Sequence, residues 1–158
     1  MRTRRFPSRD IEPDLKYGSV KLAKVINRSM LDGKKSVAAT QVYEALDKVA
    51  QETKRDALEV FEEVMEKIQP RMEVRTRRVG GASYQVPVPV KPRRAFALAV
   101  RWLVIEANKR PNREFHTYAD KLAAEMLDAL NETGGAINRR DTSHRMAEAN
   151  KAFSHFRW

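Results

Sequence analysis

Arg75, Arg77 and Arg78, flanked by Arg71, Lys91, Arg93 and Arg94, put seven cations into residues 71–94 against a single acid, Glu73. The chemistry open to such a set is capture of a polyanion. Guanidinium groups fork onto phosphate oxygens, and a local excess of positive charge concentrates phosphate around it. Strand alternation places Arg75 and Arg77 on one face and Arg78 on the other. A ribbon basic on both faces suits insertion into a crevice between nucleic-acid elements, with Arg71, Arg93 and Arg94 at its base, so nucleic acid is the expected partner. A second candidate is Gly33-Lys34-Lys35-Ser36. It resembles the end of a phosphate loop but lacks the upstream glycine and the preceding strand. Taken as a helix stop followed by a helix start, it sets Lys34 and Lys35 beside a helix N-terminus, where amides and dipole favour a phosphate.

Catalytic chemistry finds little support. His116, His144 and His155 stand apart, with no metal-ligand spacing between them. The absence of cysteine excludes disulfides, thiolate catalysis and thiolate zinc sites. There is no Walker loop, dinucleotide fingerprint or nucleophile elbow, and the glycine pairs at 80–81 and 134–135 read as turn punctuation. Neither a cofactor nor a metal nor a small-molecule substrate is expected, and an RNA-modifying enzyme would need an acid/base constellation that is missing.

The charge is unevenly spread. The 158 residues carry 31 Lys plus Arg and 21 Asp plus Glu, a net of +10, with 42% hydrophobic content. Residues 1–35 hold a net of +6, 36–70 a net of −4, 71–94 a net of +6, 95–134 a net of −1 and 135–158 a net of +3. Apolar content is high enough for a folded core. No apolar run approaches the roughly 20 residues of a membrane span, and the basic N-terminus lacks the apolar stretch of a secretory signal, so no membrane partner is expected.

The expected fold class is mainly α, a bundle of about six helices with a two-stranded ribbon inserted between helices three and four. Residues 1–18 read as an extended basic arm and 19–158 as one helical domain, which includes the ribbon at 71–91 and a tail at 150–158. The first helix runs from about Val20 to Leu31. The second begins near Ser36 as its cap and buries Val42, Leu46 and Val49. The third opens on Asp56-x-x-Glu59, carries Ala57, Val60, Phe61, Val64, Met65 and Ile68 as its apolar stripe, and closes at Pro70. Glu59, Glu62, Glu63 and Glu66 lie opposite that stripe, away from any phosphate. In the ribbon, Pro87 and Pro89 withhold N–H groups from one edge, which leaves Val86, Val88 and Val90 to pair with residues 72–79. An isolated ribbon is marginal in water, so its outer half is expected to stay mobile until a partner orders it. Helix four starts at Pro92 and runs to about Lys109; its near-continuous apolar stretch AFALAVRWLVIEA marks it as the central helix. Helix five carries Phe115, Tyr118, Ala119, Leu122, Met126 and Leu130, and helix six runs roughly from Ala136 to Ala149. The tail interleaves Phe153, Phe156 and Trp158 with cations, so its aromatics are set either to stack on bases or, for Phe153 in particular, to pack back on the domain.

Four stretches occur in order: DLKYGSVKLAKVINRSMLDGKKS, EVRTRRVGGASYQVPV, ALAVRWL and HRMAEANKAFSHFRW. Together they resemble the bacterial small-subunit ribosomal protein seven family over about residues 14–158. The resemblance implies a primary binder of the 3′ major domain of 16S rRNA that nucleates assembly of the subunit head in the cytoplasm. It implies small-subunit ribosomal proteins nine and eleven as neighbours, with exit-site tRNA and mRNA close by. Family RNA contacts would fall on Arg2, Arg4, Arg5, Arg9, Lys34, Lys35, Arg75, Arg77, Arg78, Arg93, Arg94, Lys109, Arg110, Arg113, Arg139, Arg140 and Arg145. This chain departs from the family pattern at Asn138, where a positive charge is lost, at residues 114–120 and at the second ribbon proline. The alternative is an architectural DNA-binding protein that lays the ribbon in a groove.

Overall fold

The computed structural model describes residues 10–156. In chain order its elements are α1 (Val20–Ser29), α2 (Lys35–Thr53), α3 (Ala57–Ile68), β1 (Met72–Val79), β2 (Ala82–Pro89), α4 (Pro92–Lys109), α5 (Tyr118–Leu130), α6 (Gly134–Ala149) and a terminal 3-10 helix, Lys151–Phe156. This is the expected mainly helical bundle with a two-stranded antiparallel ribbon between α3 and α4.

The helix starts follow local chemistry. Ser19 caps α1 by accepting from the Leu22 N–H, and Asp56 caps α3 by accepting from the Leu58 and Glu59 N–H groups. Each cap satisfies donors that the helix cannot, worth about 1 kcal/mol. Ser36 does not cap α2, contrary to expectation. A tight turn at Lys34 (φ −80°, ψ 72°) lets the Lys35 N–H donate to the Gly33 carbonyl, so the cap position falls on Lys34, two residues before Ser36. Helix α1 ends two residues before Leu31, which is left exposed as the chain reverses through Asp32 and Gly33. Residues 14–18 fold back on the helices rather than running extended. Asp14 is buried and accepts from the N–H groups of Lys16, Tyr17 and Ser19 and from the Tyr43 hydroxyl, folding this segment onto α2.

The core is one cluster. It draws Leu22, Val25 and Ile26 from α1, Val42, Leu46 and Val49 from α2, and the whole predicted stripe of α3. Helix α4 packs on α1, α3, α5 and α6, yet Ala97 and Arg101 are exposed, so it is not enclosed as expected. The enclosed helix is α5. It lies against α2, α3, α4 and α6, and none of its residues is exposed. Its small side chains Ala119, Ala123 and Ala129 are buried where neighbouring backbones come close. A capping box between Thr117 and Asp120 starts it, and Asp120 also pairs with Lys48 of α2. This gives the segment 114–120 a structural role.

The second glycine pair serves a close approach as well as a turn, with Gly134 at φ +88°. Gly134 and Gly135 open α6 itself. A Cβ on Gly134 would lie 2.9 Å from the Asp128 Cβ, and one on Gly135 would lie 2.8 Å from Glu106 Oε2. Thr133 offers α6 no side-chain cap. Glu125 of α5 supplies one from across the contact, its Oε1 accepting from the Ala136 N–H at 2.8 Å.

Candidate nucleic-acid interface

The ribbon follows from its turn and its prolines. Gly80 and Gly81 have φ of +58° and +92° and form a two-residue loop between Val79 and Ala82. Positive φ at both loop positions matches the strand twist, and glycine adopts it without a steric penalty. The register pairs Glu73 with Val88, Arg75 with Val86 and Arg77 with Tyr84. The Val90 N–H extends the ladder to the Arg71 carbonyl, as the proline spacing requires.

The ribbon is not free-standing along its whole length, because its base buries side chains of its own. Val86 is fully buried, and Pro87 and Glu73 are buried beside it. Helix α6 and the terminal 3-10 helix pack against the ribbon. The Ser143 hydroxyl donates to the Met72 carbonyl, and the Arg71 N–H donates to His144 Nε2 at 2.9 Å. Tyr84 meets Phe153 and Phe156 with ring centroids 5.4 and 5.1 Å away. Both tail phenylalanines therefore pack back on the domain rather than standing free for bases. Burial holds the His144 ring below the usual histidine value, and the nearby Arg140 and Arg71 add to this against the opposing pull of Asp141.

The predicted cations separate into three kinds. Lys34, Lys35, Arg77, Arg78, Arg93, Arg113 and Arg145 make no side-chain hydrogen bond or ion pair among the described residues. Arg75, Arg94, Lys109 and Arg139 remain about half exposed but are each held by an acid. Arg75 and Arg94 share Glu73, and Lys109 and Arg139 share Glu106. Burial alone would raise the Glu106 carboxyl, but hydrogen bonds from Lys109 and Arg139 outweigh it and hold the group below the ordinary carboxylate range.

Arg110 and Arg140 are engaged by the protein's own interior. Arg110 bridges Glu125, which is 2% exposed, and Asp128, and it lies over the Phe115 ring. Arg140 donates to the Lys67 carbonyl and to Asp141. It borders a cleft whose other walls carry Glu63, Glu66 and Glu132. Arg2, Arg4, Arg5 and Arg9 lie outside the described residues.

One concavity gathers much of the second kind. A groove of about 600 Å³ lies between the ribbon base, α4 and α6, floored by Val74, Leu98, Trp102 and Met146. Glu73 and Glu106 both open onto it, as do Lys109 and Arg139. Helix α4 therefore presents an apolar strip, Leu98 and Trp102, to this groove. A smaller hollow, lined by Lys24, Arg28, Phe96 and Arg101, joins α1 to α4. These cations escaped the sequence reading. The available signals were the four-residue spacing of Lys24 and Arg28 and the Arg93-Ala97-Arg101 series, which align side chains along one helix face.

Comparison with known proteins gives a concordant result. The family model described as "Ribosomal protein S7p/S5e" matches residues 1–151. The small ribosomal subunit protein uS7 of Streptococcus pneumoniae strain Hungary19A-6 is 54% identical over 157 residues, covering 99% of each chain. The same protein from strains CGSP14 and D39 matches to the same extent.

Proposed function

The chain belongs to the ribosomal protein S7p/S5e family, and from that premise we propose that it binds the 3′ major domain of 16S rRNA and nucleates folding of the subunit head. Membership makes it a structural protein of the small ribosomal subunit, in a family that is not one of enzymes.

The observation that carries the RNA reading is the set of cations left without a partner among the described residues. Lys34, Lys35, Arg77, Arg78, Arg93, Arg113 and Arg145 sit at the surface while chemically identical residues nearby are neutralised. Unpaired arginines on an ordered scaffold cost the fold little and are available for phosphate. Folded RNA hides its base edges in a deep, narrow groove, so recognition rests on phosphates, 2′-hydroxyls and loops. Arg2, Arg4, Arg5 and Arg9 extend the same contact from the N-terminal arm. Small-subunit proteins nine and eleven, exit-site tRNA and the mRNA path are the proposed neighbours in a cytoplasmic ribosome. Nothing in the fold or the comparisons supports the architectural DNA-binding alternative. Chemical footprinting of 16S rRNA with the purified protein tests the reading. Protection confined to the 3′ major domain is the expected outcome, and absent or dispersed protection would reject it.

A further inference from the structure

The ribbon's one acid does not belong in a surface made to attract phosphate. An unneutralised carboxylate there would repel the ligand. Glu73 is also 8% exposed at its side chain, where a lone charge would cost several kcal/mol. Its contacts resolve both difficulties. Arg75 of β1 donates its Nε–H to Glu73 Oε1 at 2.6 Å. Arg94, in the first turn of α4, donates its Nε–H to both carboxylate oxygens, at 2.9 and 2.6 Å.

Every one of these bonds uses Nε. The two terminal amino groups of each guanidinium have no partner among the described residues, and both side chains are about half exposed. A guanidinium gripped at Nε keeps its two outer nitrogens for an outside acceptor. Such an arrangement also removes rotamer freedom before the ligand arrives, lowering the ordering cost of binding. The triad keeps a net charge of +1 and ties the ribbon base to α4. Across the groove the construction recurs. Glu106, 11% exposed, accepts from Arg139 Nε of α6 at 2.8 Å and from the Lys109 ammonium.

We propose that Glu73 is a positioning residue for RNA phosphate, fixing Arg75 and Arg94 as one preformed two-arginine site at the root of the ribbon. The inference rests on the RNA-binding reading above and adds to it an acid whose removal weakens attraction to an anion.

That sign makes the test. Binding of a 3′ major-domain RNA fragment is measured for the full chain, for E73Q and for R94K. Simple electrostatics predicts that E73Q, one charge more positive, binds tighter with a steeper salt dependence. Positioning predicts a loss of about tenfold, the worth of one charge-assisted hydrogen bond. R94K keeps the charge but lacks the outer guanidinium nitrogens, so a similar loss is expected. E73Q is then added to an R75A/R94A background, where it should change affinity no further. An equal loss in that background would assign Glu73 a structural role only and overturn the proposal. So would wild-type or tighter binding by E73Q, or, should E73Q fail to fold, by R94K. If the unaltered protein ignores the fragment, the RNA reading fails and takes the proposal with it. If it binds and the variants match it, only the proposal fails.

Discussion

The tip of the ribbon and the corner where α5 meets α6 use the same side chain in opposite ways. At the tip, Arg77 and Arg78 lead into a two-glycine turn and touch no acid among the described residues. At the corner, Arg110 is bound by Glu125 and Asp128 beneath a helix N-terminus packed too closely to admit a side chain at Gly134 or Gly135. The sequence presents both as basic residues in a basic protein. The difference shows that charge alone does not mark an interface; what matters is whether the fold has already neutralised it. The ribbon base lies between these extremes, its arginines held at one nitrogen and open at two others.

Loss of Arg110 should break this comparison most severely. Arg110→Ala leaves Glu125 buried with its charge uncompensated, at about 3–5 kcal/mol, a fall in melting temperature of roughly 6–20 °C for a chain of this size. Calorimetry checks it. A drop of a degree or two would show that the corner tolerates a bare carboxylate and that Arg110 is available to a ligand after all.

Tyr84→Ala comes next. Removing two aromatic pairs costs about 1–3 kcal/mol beyond burial, and hydrogen exchange at β2 should accelerate while α2 and α3 keep their protection. Uniformly faster exchange would mean that the tail does not support the ribbon as a separate unit.

Acid should loosen the same base by a smaller amount. His144 must be neutral to accept from the Arg71 N–H, and its folded value lies below the ordinary 6.5. Its contribution is therefore fully present above about pH 6.5 and is lost as pH falls through the depressed folded value. Thermal melts across that window should show a decline that His144→Gln flattens. An unchanged decline would place the sensitive group elsewhere.

The joint change Arg77→Ala and Arg78→Ala should disturb the fold least, within about 0.5 kcal/mol. A large stability loss would show that the tip, like the corner, is tied into the fold.

Much of the architecture was legible because it is local. All six predicted stripe residues of α3 are buried, since a 3.6-residue period needs no knowledge of the partner. Pro87 and Pro89 set the strand pairing, and Pro92 marked the start of α4, because proline's missing donor constrains its neighbours whatever surrounds them. Illegible features all depended on distant residues. Glu125 and Gly135 are ordinary in sequence and informative only once α4, α5 and α6 meet. The enclosure of α5 rather than α4 reflects alanines that let four helices approach, whereas the run of larger residues in α4 was the more conspicuous signal. Among the candidate contacts, the sequence located the ribbon arginines. It had no means of seeing that Arg140 would reach the Lys67 carbonyl or that Glu73 would join Arg75 to Arg94.

The salt dependence of binding to a 3′ major-domain 16S rRNA fragment tests the central claim most directly. With several outward cations releasing counterions from phosphate, log K should fall steeply with log salt, with a slope of several units. The Arg77→Ala, Arg78→Ala variant should lower that slope by roughly 1 per residue removed. Binding that is equally firm in molar potassium chloride, or absent at low ionic strength, would contradict it.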